Sequence, residues 1–344
     1  MILSIQLLRA ISAIVILLYH VLVNQYNDIA PVKILSAGVP IFFVISGYII
    51  ARSTEATTNP WHFLARRFLR IYPVWWVALT LWLVGSGLVL GENPPLSKIM
   101  TSLALISTWD EKYQAFAPTY HIGWTLCYEV IFYTLWAFSL AVTARTRVTP
   151  LFVTAGLIGG LIVCVRIALE VMPGVEDLRP YGSFYMLEFL AGAGIRQAER
   201  SSLLTAANVA LGRWYRRACA GGAMVGFGLC ALGVLPIRPA YDGLAVLTFL
   251  AFLSTRVEAS SVLGRFSAYL GDASYSLYLF HAMLLDLAFV HTGILTPGDH
   301  NLVNAVVAFA TCFAFSLAMY HLVEKPCVLF GKYLTSGWRH PLKA

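Results

Sequence analysis

The chain has 344 residues, 59% of them hydrophobic and 12% charged, with a mean hydropathy of +0.73 and a formal net charge of +7. A soluble domain of this length has no use for so much apolar surface, so a polytopic helical membrane protein is expected and a nucleic-acid partner is not. In chain order, ten full spans are predicted, near 4–24, 34–51, 71–90, 122–143, 150–170, 183–197, 219–236, 240–255, 268–290 and 302–323. No small-residue cleavage site follows the first stretch, so it reads as a retained span and not as a signal peptide. Segment 97–108 (SKIMTSLALIST) is apolar but too short to cross, and is expected as a re-entrant or surface helix. The six cysteines are scattered without a CxxC pair, so no metal cluster or disulfide framework is implied. With no internal repeat or low-complexity linker, residues 1–344 are expected to form a single integral-membrane domain.

Basic residues set the orientation. Of the 24 lysines and arginines, 17 fall in one set of alternate loops, among them Arg66, Arg67 and Arg70, and five in the opposite set, while Arg9 and Arg166 lie inside spans. Both termini are therefore expected in the cytoplasm, and the positive charge is a topology signal.

The first span contains LLRAISAIVILLYHV (7–21), where Arg9 and His20 interrupt an apolar run. Eleven residues are almost three helical turns, so both project from one face, about 16 Å apart. Ionisable groups inside a membrane are costly and usually functional, although a snorkelling arginine and an incidental histidine would also fit. By depth, His20, Glu129, Arg166, Glu188 and Asp286 are all expected in the outer half of the membrane. An internal polar chamber opening outward accounts for them. Gly38, Ser46 and Gly47 suit close helix approach or room for a thin substrate arm. His281 reads as a packed, hydrogen-bonded histidine or a substrate contact. His321 and Glu324 in HLVEKP read as a helix end stopped by Pro326, and as a poor metal site.

Six segments appear in a recognisable order. They are Arg9 to His20, GVPIFFVISGYII (38–50), FLARRFLRIYPVWW (63–76), GWTLCYEVIFY (123–133), LGDASYSLYLFH (270–281) and HLVEKP (321–326). Together they resemble the membrane-bound acyltransferase-3 family, especially bacterial enzymes that O-acetylate exopolysaccharides and lipid-linked sugars. The chain is similar to the short branch without an added periplasmic hydrolase-like domain. The resemblance implies a bacterial inner-membrane enzyme with acyl-CoA, most simply acetyl-CoA, as donor substrate and no permanently bound cofactor. It also implies a polysaccharide or lipid-linked saccharide as acceptor.

On that reading Arg67 and Arg70, three apart on one helix face, with Arg66 beside them, are the expected contacts for donor phosphates. The positive-inside rule alone would also place arginines there. The family's histidine matches His20, whose imidazole suits deprotonation of a sugar hydroxyl as it attacks the thioester. Glu129 is expected to orient that imidazole, hold the imidazolium or bind sugar hydroxyls, with Arg9 facing the channel. Tyr128 and Arg166 are candidate substrate contacts. Direct transfer and an acyl-histidine intermediate both fit. The rival from another class is a proton-coupled transporter with Arg9, His20 and Glu129 as a relay, although broken helices and symmetric halves are not evident.

Overall fold

The computed structural model describes residues 2–26, 30–55, 59–146, 148–201, 213–235, 237–253, 255–296 and 298–336. They are dominated by helices: α1 (Leu3–Tyr26), α2 (Gly38–Ser53), α3 (Pro60–Leu90), α4 (Leu96–Leu103), α5 (Trp124–Thr143) and α6 (Pro150–Val171). The series continues with α7 (Tyr185–Arg200), α8 (Arg213–Ala231), α9 (Ile237–Leu253), α10 (Val262–Leu284), α11 (Leu302–Met319) and α12 (Lys325–Ser336). One two-stranded hairpin, β1 (Thr108–Asp110) with β2 (Ala115–Ala117), follows α4. The chain is thus an all-α membrane protein with a small hairpin. Among the described residues seven helices are long and apolar enough to cross a membrane, the longest running Leu302–Thr335 and Pro60–Leu90. The predicted spans at 183–197, 219–236 and 240–255 fall on α7, α8 and α9, which are shorter in length or in apolar run.

The chain divides into two compact units, each built from two separated stretches. The first contains 1–52 and 188–318. Here α1 and α10 run alongside one another in the same direction, meeting at Gln6 and Asp272 near one end and at His20 and His281 further along. Gly271 makes the approach feasible, because a Cβ there would lie 2.7 Å from both Cβ and the carbonyl oxygen of Gln6. The helices α2 and α7 cross where Gly47 faces the Phe189 carbonyl and Gly192 faces the Val44 carbonyl; a Cβ at either glycine would lie 1.9 Å from that oxygen. Gly38 likewise sits against Ile16 and Ser12. Of the two readings the sequence left for Gly38 and Gly47, close helix approach is the one their surroundings explain. Ile5, Leu8, Ile41, Val44, Tyr48 and Phe249 form a core between α1, α2 and α9.

The second unit contains 53–187 and 319–344. Its longest element, α3, begins earlier than the predicted 71, for a local reason. The Asn59 side chain accepts hydrogen bonds from the Trp61 and His62 amides at 3.0 and 3.1 Å, and Pro60 takes the first helical position. The arginines therefore stand on the helix itself. After α3 the chain turns back along it. The Trp75 and Trp76 indoles donate to the Ser102 and Leu103 carbonyls at 2.9 and 3.0 Å, and Tyr72 donates to Ala104 at 3.2 Å. Three aromatic donors within little more than one turn of α3 thus satisfy the carbonyls that end α4. The short helix expected within 97–108 is thus present as α4, held against α3.

Pro326 does not stop the last helix, contrary to the sequence reading. A π-helical turn at Tyr320–Glu324 leads into α12, where Pro326 occupies the second position. The widened turn just before it makes room for a residue that has no amide to donate and whose ring would crowd a regular preceding turn.

Candidate active site

In the second unit, the arginines predicted as donor contacts line one pocket of about 220 Å³. Arg66, Arg67 and Arg70 project from α3 together with His62 and Phe63, and Val328, Gly331, Lys332 and Thr335 of α12 form the opposite wall. Gly331 lets α12 come close, its missing Cβ lying 3.2 Å from that of Leu69. Neighbours hold the cations in place. Arg66 donates to His62 Nε2 at 2.9 Å, Arg67 donates to Ser53 Oγ at 2.9 Å, and the Arg67 guanidinium lies 5.5 and 5.4 Å from the Phe63 and Tyr133 ring centres. Four cations around one opening make a site for a polyanion. Lys332 was missed because the helix was expected to end at Pro326; its signal is the helical continuation KPCVLFGKYL.

Glu129 belongs to the same neighbourhood. It accepts a short hydrogen bond from the Tyr133 hydroxyl, and the Tyr133 ring lies under Arg67. This corrects the expected depth of Glu129 near the outer surface. The helices α3 and α5 are antiparallel, and Gly123, at the start of α5, lies against the Trp75 ring. Fifteen residues separate Trp75 from Leu90, so α5 starts about 22 Å down α3 from that end. Glu129 is thus level with the arginines, because the stretch before α5 folds back along α3 and does not begin at a surface.

Tyr128, buried between Trp124 and Tyr185 with ring centres 6.0 and 5.5 Å away, lines a second cavity of about 240 Å³ with Leu105, Ile106, Ile131, Leu135 and Tyr181. Arg166 lies elsewhere. It is exposed and covers the Phe184 ring at 4.6 Å, off the buried stripe of Thr154, Ile158, Ile162 and Val165 on α6. It lines neither the arginine pocket nor the cavity beside Tyr128.

In the first unit, Arg9 donates to Gln6 Oε1 at 3.0 Å, and Gln6 in turn donates to Asp272 at 2.6 Å. A polar chain therefore ties Arg9 on α1 to α10. Further along the same pair of helices, His20 Nδ1 lies 2.9 Å from the Ile16 carbonyl and 3.1 Å from Nε2 of His281. His281 is fully buried, and its Nδ1 lies 2.7 Å from the Leu277 carbonyl. A carbonyl only accepts, so Nδ1 carries the proton in both rings and the lone pair of neutral His20 is on Nε2. The sequence reading of His281 as a packed, hydrogen-bonded histidine agrees with this burial and these contacts, but did not name His20 as its partner. The available signal was its depth, since both histidines lie about 20 Å or more into spans running the same way. Among the described residues no three of His, Cys, Asp and Glu come together.

Several known proteins resemble the chain. The exopolysaccharide production protein ExoZ of Rhizobium meliloti (strain 1021) is 30% identical, over 86% of this chain and 90% of its own length. The peptidoglycan O-acetyltransferase OatA of Listeria monocytogenes is 23% identical over 94% of this chain, which spans 55% of that protein. The acyltransferase MdmB of Streptomyces mycarofaciens is 22% identical over 73% of this chain and 68% of its own. No solved structure matches. The acyltransferase-domain model matches residues 2–321, across both units and every motif segment except HLVEKP, of which it reaches only His321, and the chain belongs to the acyltransferase-3 family of membrane acyltransferases.

Proposed function

We propose that the protein is a membrane-bound O-acyltransferase that moves an acyl group, most simply acetyl, from cytoplasmic acyl-CoA to a hydroxyl of an exported polysaccharide or lipid-linked sugar. The observation that carries the donor half is the pocket of Arg66, Arg67, Arg70 and Lys332, which offers four cations to the phosphates of CoA. The saccharide acceptor is supported by relatives named for exopolysaccharide production and peptidoglycan O-acetylation. Ten spans, with α7, α8 and α9 crossing, put both termini and the basic pocket on the cytoplasmic side, in line with the placement of basic residues.

In this reading His20 is the general base. The acceptor hydroxyl gives its proton to Nε2 as its oxygen bonds to the thioester carbonyl carbon. The carbon–sulfur bond breaks, and the imidazolium returns the proton to the departing thiolate, leaving an ester and the free CoA thiol. Glu129 serves the donor end through Tyr133, whose ring underlies Arg67. Arg9, tied through Gln6 to Asp272, faces the channel.

Glycan O-acetylation tests the reading. Surface glycans from cells expressing the protein should carry an acyl mass increment that cells without it lack. Unchanged glycans, together with proton-coupled uptake of a solute, would favour the transporter with Arg9, His20 and Glu129 as relay.

A further inference from the structure

We propose that His281 is the positioning residue for His20, acting through a ring-to-ring hydrogen bond that aims the His20 lone pair; the proposal rests on the reading of His20 as general base. His20 donates through Nδ1–H, which is shared between the Ile16 carbonyl at 2.9 Å and His281 Nε2 at 3.1 Å. His281 can accept there because its own proton is committed at Nδ1 to the Leu277 carbonyl, 2.7 Å away. Two i−4 carbonyls, one on each helix, thus set the sense of the chain, from His20 to His281 to the backbone.

The ring contacts add a fixed orientation. The two imidazole centres are 4.9 Å apart, and Tyr19 meets His20 edge-on at 5.1 Å. Gly271 brings α10 against α1, so that the rings come within reach. Immediately beyond His281 the helix widens into a π-helical turn at Leu285–Val290, a feature frequent at functional sites. A carbonyl alone would fix the tautomer but leave the ring free to swing. With His281 as second acceptor the imidazole is held on two sides, and the positive ring formed on proton uptake keeps both acceptors. His281 itself gains and loses no proton during the cycle.

Two polar variants separate this role from packing. The amide of a glutamine reaches the position of imidazole Nε2, whereas that of an asparagine reaches only the position of Nδ1. Membranes containing the full-length protein, supplied with radiolabelled acetyl-CoA, are assayed for label transferred to their own glycolipids as the donor concentration is varied. His281→Gln should retain most of the apparent kcat, because its oxygen still accepts from His20. His281→Asn should lose about 10–100-fold, the usual loss for one hydrogen bond to a charged group, with the KM for acetyl-CoA unchanged in both. His20→Ala is the reference for loss of the base. An inactive His20→Ala beside a fully active His281→Asn would overturn the positioning role alone, and an active His20→Ala would remove the base reading as well. Equal losses in the Gln and Asn variants with a raised KM would make His281 a packing residue and overturn the proposal.

Discussion

His20 is where chemistry and geometry are most tightly bound. Its Nδ1 is committed to a carbonyl and a second imidazole, which leaves Nε2 for the proposed role of base. His20→Ala is expected to lower turnover by about 10²–10⁴-fold while acyl-CoA binding persists, as read by single-turnover transfer and by equilibrium binding of CoA. On the proposed reading the arginines act at the other step, donor binding. Arg67→Ala and Arg70→Ala should each weaken CoA binding by about 10–100-fold, with Lys restoring part of it because the charge survives and the fork is lost. Calorimetric titration with CoA checks this, and Lys332→Ala should fall in the same direction. His20 and the arginines were legible in the sequence because each stands where burial or spacing makes it conspicuous. Arg166 was equally conspicuous and is a surface residue resting on Phe184, since depth along a helix does not say which side it faces. Lys332 was obscured by a proline that the helix tolerates, and the partner of His281 by its distance in sequence.

Helix crossings and turns make different demands. Gly47 and Gly192 each face a carbonyl oxygen across the contact of α2 with α7. Gly47→Ala should cost about 1–3 kcal/mol through overpacking and lower the melting temperature of the purified protein, whereas Gly159→Ala, with open space around it, should not. The hairpin after α4 has its own charge lock. Burial works against ionisation of Asp110, but the hydrogen bond from Lys98 at 2.6 Å and the backbone amides of Tyr113 and Lys112 win, and hold its carboxyl below the usual carboxylate range. A depressed value means the stabilisation is complete above about pH 4, the unfolded carboxylate range, and is lost as pH falls through the folded value. Melting curves taken across that range should show an acid-induced loss in the wild type and a smaller one in Asp110→Asn. The sequence foretold most elements because apolar runs of span length are hard to disguise. The start of α3 and the depth of α5 escaped it, the first set by the Asn59–Pro60 cap and the second by Tyr72, Trp75 and Trp76 drawing residues 102–104 back along α3.

For the whole molecule, the distribution of basic residues and the run of apolar helices agree on a multi-pass protein, and the ten-span proposal makes a direct topological statement. A reporter active only in the cytoplasm should work when fused at Ala344 or after Arg147 and fail when inserted near Pro297, three positions outside the described residues. Activity near Pro297 would place the donor pocket on the wrong side of the membrane. The central claim is that His20 carries acyl transfer from acyl-CoA to a sugar hydroxyl, and it is tested most directly by one paired measurement. Wild-type protein and His20→Ala, reconstituted in the same membranes, are given radiolabelled acetyl-CoA, and both donor binding and label transferred to glycan are recorded. The expected result is equal donor binding in the two proteins, with transfer by the wild type and almost none by His20→Ala. Near-normal transfer by His20→Ala, or a wild-type protein that binds no acetyl-CoA, would contradict the account.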